Sequence, residues 1–426
     1  MSTLPRILTI MGSGETTPTM ARVHRAVLDR LGERPVPAVI LDTPYGFQEN
    51  ADDITDRAVD YFRTTVGAPF SAASFRSADA DALTRETAFV RIRDARLVFT
   101  GPGSPSYALR QWAGSEIPRL LADKLGRGGA VTMASAAALT LGRYTIPVYE
   151  IYKVGEPPHW LDGLDLLTPL GLPVAVVPHY DNAEGGNHDT RFCYLGERRL
   201  LMLEAELPPE VFILGVDGHT ALVLDLEVGT ASVVGLGSVT VRKDGRSTVF
   251  PAGSDVSIGD LVAAARGDMA AGATSTDPGS SGLPVADGTP GSAPLREEVA
   301  RLEAVFSASL DECDAPSAVR AILALEETIQ SWSHDTDQSD ALAAARSALR
   351  SAIVCLGEMA EKGSGDPAEA VRPFVDALLA ERVRARNARD WAAADAIRDR
   401  LVAAGIELHD SPDATTWELH AGVPVG

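Results

Sequence analysis

Short, mostly apolar runs recur along the first part of the chain, at 7–11, 36–41, 96–100, 130–134, 174–177 and 211–215. Each is too short for a buried helix and ends at Gly, Pro or polar residues, which predicts buried strands. Between several of them lie stretches with helical spacing of apolar positions, at 19–31, 51–65 and 105–124. Strands that are apolar throughout, alternating with amphipathic helices, predict a largely parallel sheet covered on both faces, a three-layer α/β/α arrangement. In such sheets ligands sit at the carboxyl ends of the strands. Two later segments, 220–226 and 231–242, alternate apolar and polar residues and predict an antiparallel edge closing the domain.

From 267 to 294 the chain runs through Gly, Ala, Ser, Thr, Asp and Pro with almost no large apolar residue. Such a stretch buries too little surface to offset its ordering entropy, so it reads as a flexible linker. It divides the chain into an α/β domain over 1–266 and a smaller all-α domain over 295–426. The second part is rich in Ala, Leu, Arg and Glu at helical spacing, over 295–310, 315–331, 340–360 and 367–404. After it, 405–419 places turn residues between two short apolar pieces, which predicts a small hairpin.

Composition narrows the classes of function. With 45% hydrophobic and 23% charged residues the chain of 426 is an ordinary globular one. Its formal net charge of −21 repels polyanions, so contact with nucleic acid requires a local basic face working against the whole-molecule field. The apolar run 7–11 is far too short to span a bilayer or to form a signal-peptide core, which places the protein in the cytoplasm with no membrane partner. Cys193, Cys313 and Cys355 lie far apart without metal-type or CxxC spacing, and read as buried thiols. No metal or other cofactor is expected.

Val131-Thr-Met-Ala-Ser135-Ala-Ala-Ala-Leu is a buried strand running straight into a helix former, with only small residues after one serine. A serine at a sharp strand-to-helix turn has its hydroxyl lifted out of the backbone, near a helix start that favours negative charge. A plain helix N-cap is the alternative. Two features favour chemistry. Glu150 opens Glu-Ile-Tyr-Lys-Val shortly beyond the helix, and His179 stands in Val176-Val-Pro-His-Tyr-Asp-Asn182 at a strand end facing the same crevice. A triad demands only that the histidine reach both hydroxyl and carboxylate.

These residues carry a resemblance. The strand, Ser-Ala turn and helix around Ser135, the acid after it and the Pro-His-Tyr-x-Asn segment resemble aspartyl dipeptidase and cyanophycinase, the S51 serine peptidases, on the class I glutamine amidotransferase-like (flavodoxin-like) fold. Gly101-Pro-Gly-Ser-Pro105 resembles the glycine loop that supplies oxyanion donors there, and 215–225 resembles the family's late strand pair. The resemblance implies that Ser135 attacks a carbonyl, His179 takes and returns its proton, and Glu150 steadies the imidazole. It also implies that the amides of Gly103 and Ala136 hold the oxyanion. Met133 and Ala137 stand where the family's elbow usually has glycines, and Gly218 where relatives often carry an acid. With no cysteine at the elbow, the likeness favours a serine hydrolase over a thiolate-dependent amidotransferase.

Two loops are polar beyond structural need. Gly12-Ser-Gly-Glu-Thr-Thr-Pro-Thr19, which includes Glu15, joins the first strand to the first helix and reads either as a ligand-binding loop or as plain packing. The run 181–191 follows His179 at once and is a candidate for substrate recognition. Arg191 could pair with a substrate carboxylate, and Asn182 or His188 could bond its amide or amine. Against this, Arg191 and Asp189 could serve only to cap the next helix, and His219 reads as a core or edge-strand histidine.

The segment 376–417 resembles the C-terminal tail of cysteinyl-tRNA synthetases, with the helices from about 295 standing for that enzyme's helical bundle. The resemblance implies a grip on tRNA, with Arg382, Arg384, Arg386 and Arg389 as candidate phosphate contacts. Asp376, Glu381, Asp390, Asp395 and Asp399 are interleaved with them, as on any solvated helix. The synthetase ATP signatures are absent. Two readings of function stand side by side. One is a serine-dependent hydrolase of a small peptide or amide, fused to an interaction module; the other is a non-catalytic adaptor or tRNA-binding protein. In a third, the tail delivers an aminoacyl-tRNA or cysteine derivative to the hydrolase. A homodimer stays open.

Overall fold

The computed structural model describes residues 4–183, 188–268, 294–312, 314–335, 341–363, 367–410 and 415–419. The chain divides into two compact units, Met1–Arg346 and Ser347–Gly426. The linker expected over 267–294 lies, apart from its ends, outside the described residues.

In the first unit the strands are β1 (Arg6–Met11), β2 (Ala38–Leu41), β3 (Ser71–Ala73), β4 (Leu97–Thr100), β5 (Gly129–Ala134), the short pair β6 (Tyr144–Thr145) and β7 (Leu161–Asp162), β8 (Val174–Val177), β9 (Phe212–Val216), β10 (Thr220–Asp225), β11 (Thr230–Gly235), β12 (Ser238–Lys243), β13 (Arg246–Pro251) and β14 (Asp255–Ser257). Eight of them form the main sheet, in the order β14-β11-β10-β1-β5-β4-β2-β3. From β1 to β3 the pairing is parallel, and β10 joins β1 antiparallel. The residues of β1 show why the sheet is covered twice. Leu8 and Ile10 enter the core on one face and Ile7 and Met11 that on the other, as a period of two requires.

The helices are α1 (Ala21–Arg30), α2 (Ala51–Tyr61), α3 (Ala82–Asp94), α4 (Pro105–Trp112), α5 (Ile117–Arg127), α6 (Ser135–Leu139), α7 (Gly196–Glu204) and α8 (Ile258–Arg266). Local chemistry sets several of their ends. Asp81 and Ser104 accept the amides of Thr84 and Tyr107 as N-caps, and Ser257 with Asp260 forms a capping box for α8, which stops at left-handed Gly267.

The α/β architecture is therefore the expected one, with one difference. β8 and β9 do not extend the main sheet but form a second, four-stranded one, in the order β13-β12-β9-β8. An apolar run reveals that a strand is buried, not which sheet takes it, and here the hairpin β12–β13 supplies β9 with its other neighbour.

Two further helices, α9 (Leu295–Asp311) and α10 (Ala315–Ser331), belong to the first unit and not to the C-terminal one. α11 (Ala341–Gly363) follows. The second unit contains α12 (Pro367–Asn387), α13 (Trp391–Ala403) and the antiparallel hairpin of β15 (Ile406–Asp410) and β16 (Thr415–Leu419). The expected single helical stretch 367–404 breaks because Arg389 is left-handed (φ 60°) and Asp390 then caps α13 by accepting the amide of Ala393. Val375, Leu401, Ile406 and Leu408 form this unit's core, with Trp417 packed on it. Cys193 is buried, but Cys355 is exposed, so the expectation of buried thiols fails there: it lies on the solvent side of α11. Cys313 lies outside the described residues. Among the described residues no helix is long and apolar enough to cross a membrane.

Candidate active site

Ser135 follows β5 directly. Ala134 is still extended (φ −124°, ψ 152°), and Ser135 turns to φ +49°, a left-handed conformation that costs an L-residue roughly 1–2 kcal/mol. This is the sharp turn expected of a nucleophile elbow, formed without the family's flanking glycines. Met133 and Ala137, the residues at those positions, are fully buried in the core. Leu139 of α6 shares a core cluster with Val177 at the end of β8. That packing brings His179, also left-handed at φ +47°, to the elbow. Ser135 Oγ and His179 Nε2 lie 2.9 Å apart, within hydrogen-bond reach, although the two residues hang from different sheets.

Glu150 is placed differently from the triad expectation. It opens a wide helical turn, Glu150–Val154, and its Oε1 accepts a hydrogen bond from Ser106 Oγ, which in turn lies 3.0 Å from Ser104 Oγ. No hydrogen bond joins it to His179 among the described residues, where its Oε2 is buried without a partner. The two serines belong to the start of α4, just after the glycine loop, and tie the carboxylate to that helix start.

Gly103 and Ala136, the candidate oxyanion donors, lie on segments tied together at the crevice. The Ala137 amide donates to Gly101 O over 3.1 Å. Gly103 is left-handed (φ 130°), and a Cβ there would meet Pro44 O at 2.1 Å, so only glycine fits. Glu15 is buried, and its Oε1 lies 3.1 Å from where a Cβ on Gly101 would sit. Its backbone carbonyl accepts from Nε2 of His24, whose burial lowers its pKa to about 4.

The loop after His179 is anchored by its backbone and by Asp181. The Asn182 amide donates to His179 O (3.2 Å), and Asp181 Oδ1 accepts from the Gly218 amide (2.7 Å). His188 is exposed and stacks near Tyr152, with ring centroids 6.5 Å apart. Tyr152 packs on Tyr194 at 5.1 Å, and Tyr194 stands 6.2 Å from the His179 ring. Arg191 is a correction. Its guanidinium grips Asp189 through two contacts of 2.9 Å, and Asp189 also accepts the Glu197 amide at the start of α7. The helix-capping alternative describes it. The same contacts hold the Asp189 carboxyl well below the usual carboxylate range.

Sequence reasoning passed over Tyr152, Tyr194, Asp181 and Asp217. Burial, with the nearby Asp181 charge second, pushes the Asp217 carboxyl up to about 6. Only the density of polar residues after His179 pointed to this region. No spacing rule marks the tyrosines, which meet through the left-handed run Phe192-Cys193-Tyr194.

In the second unit Arg382 also differs from expectation. It is buried and pairs with Asp410 at 2.6 and 2.7 Å, so it braces α12 against the hairpin and is not part of a phosphate-facing row. Arg384 pairs with Glu381 at 2.7 Å and Arg386 approaches Asp410 at 3.6 Å.

Residues 369–417 match the cysteinyl-tRNA ligase anticodon binding domain. A cysteine–tRNA ligase of Arthrobacter sp. (strain FB24) is 36% identical over 123 residues, covering 28% of this chain and 25% of that one. One from Shewanella baltica (strain OS223) is 36% identical over 135 residues, covering 31% and 28%. The chain thus spans about a quarter of the length of these curated relatives. Among solved structures, a peptidase from an acI-B1 Actinobacterium is 20% identical with a TM-score of 0.47, covering 60% of this chain and 97% of that one.

Proposed function

We propose that the α/β domain is a serine-dependent hydrolase of a peptide or amide bond. The observation that carries this reading is the 2.9 Å contact between Ser135 and His179, each held in a left-handed conformation at a strand end. His179 Nε2 takes the hydroxyl proton as Ser135 Oγ bonds to the carbonyl carbon. The oxyanion that forms is held by the amides of Gly103 and Ala136. As the intermediate collapses the C–N bond breaks, the leaving amine takes the proton from His179, and an acyl ester remains on Ser135. Water activated by the same imidazole then releases the acid. In this reading Glu150 acts on the glycine loop through Ser106 and supports the imidazole only from a distance. Asn182, His188 and Glu15 line the place where substrate is bound.

A fluorophosphonate probe tests the assignment without knowledge of the substrate. The full chain should be labelled on Ser135, located by peptide mass mapping, and labelling should vanish in Ser135→Ala. Silence of well-folded protein under several conditions would favour the non-catalytic adaptor.

A second activity is supported by the match of residues 369–417: we propose that the tail contacts tRNA through exposed Arg384 and by Arg386 and Arg389 beside it, against the −21 field of the chain. Binding of tRNA by the full chain should weaken steeply with salt, and replacing Arg384 and Arg386 together with Glu should cost about tenfold or more. Binding that ignores both changes would refute this role.

A further inference from the structure

The loop 12–20 between β1 and α1 is held by side chains on several sides. His24 Nε2 donates to Glu15 O (2.7 Å), Tyr61 Oη donates to Thr17 O (2.8 Å), and His219 Nδ1 lies 2.9 Å from Thr19 Oγ1. The His219 ring also lies directly on Gly14, where a Cβ would come within 2.3 Å of Nδ1. One of these anchors, His219, and the sequence neighbour of another, Asp60 beside Tyr61, meet the end of α10, a helix from beyond the 267–294 segment. Trp332, which ends α10, is only 3% exposed, and its indole stands edge-on to His219 with ring centroids 5.5 Å apart at 66°. Two residues later His334 Nε2 lies 2.7 Å from Oδ2 of Asp60, the neighbour of Tyr61.

We propose that Trp332 is a positioning residue for the crevice. Its indole fixes the His219 ring, the ring fixes the loop 12–20, and the loop sets Glu15 against Gly101, whose carbonyl takes the amide of Ala137 beside Ser135. The α9–α10 pair thus acts as a brace on the α/β domain and makes the crevice's shape depend on a segment from beyond 267–294. The chemical reasons are plain. A nearly fully buried indole makes many dispersion contacts, and an imidazole bonded on one side and packed on the other has little freedom to rotate. The consequence for catalysis rests on the hydrolase reading above; the brace itself does not.

Hydrogen exchange followed by mass spectrometry on the full chain tests the brace directly. In Trp332→Ala, peptides covering 12–20 and 217–220 should exchange about tenfold faster, while β5 stays protected. Trp332→Phe, which keeps an aromatic ring at this place, should restore most of the protection. Unchanged exchange over 12–20 in Trp332→Ala overturns the proposal, as does equal loosening of β5, because general destabilisation then suffices. Fluorophosphonate labelling gives the second readout. Where wild type is labelled, Trp332→Ala should label about tenfold more slowly and Trp332→Phe near the wild-type rate. Faster exchange with an unchanged labelling rate overturns the coupling to the crevice. A wild-type chain that never labels sinks the hydrolase reading instead, and the exchange result then decides the brace alone.

Discussion

Replacing Ser135 with Ala is expected to lower amide hydrolysis by about four orders of magnitude while leaving the thermal midpoint nearly unchanged. In the proposed mechanism the hydroxyl oxygen is the atom that becomes covalently bound, and it is the Ser135 hydroxyl that His179 Nε2 meets at 2.9 Å. What survives is the contribution of the oxyanion donors and of binding, which do not need the nucleophile. Stability should hardly move because alanine at φ +49° carries the same backbone strain as serine, and the lost contact joins two half-buried groups. The measurement is turnover of a panel of dipeptides and peptide amides, with a melt on the same samples. Activity that persists in the variant assigns the chemistry elsewhere.

The second large effect is expected at Gly103. Substitution with Ala places a Cβ 2.1 Å from Pro44 O and 2.2 Å from Pro44 C, and it forces a non-glycine residue to φ 130°. The Ser104 amide donates to the same Pro44 carbonyl over 2.8 Å, so the added methyl also pries apart a hydrogen bond. Strain and overpacking together should cost about 2–4 kcal/mol in urea unfolding. Labelling of Ser135 should fall with it, because the amide that would meet the oxyanion moves. A Gly103→Ala chain with wild-type stability would mean that the segment around Pro44 yields at little cost.

How far the sequence reveals this site depends on the range of the interaction that fixes each residue. Ser135 and His179 stand out because each follows a continuous apolar strand, but their strands lie in different sheets, and no pattern in the chain discloses that the two ends meet. Arg191 is misleading for the opposite reason. A carboxylate two residues away captured it locally, and Asp189 at once serves the start of α7. Glu150 lies at the right distance along the chain, but Ser106, from a part of the sequence with no helical or strand relation to it, took its carboxylate. The membership of β8 and β9 in a second sheet and of α9 and α10 in the first unit was hidden as well. Amphipathic patterns disclose that a face is covered and remain silent about which partner covers it. Trp332 shows this best. Its sequence neighbourhood reads as any helix end, and its meaning comes from His219, more than a hundred residues earlier.

Ser135 and His179, the proposed nucleophile and base, follow strands of separate sheets, which the chain joins through short connections, among them 217–219 and 236–237. Their spacing also depends on the seam of apolar side chains in which Leu139 and Val177 share a cluster. A hydrogen bond tolerates a few tenths of an ångström, whereas a trimmed or overfilled seam shifts whole layers by more than that. Catalytic competence in such an arrangement is inherited from the fit of the interior, so drift in hydrophobic volume far from solvent can silence the chemistry before it threatens the fold.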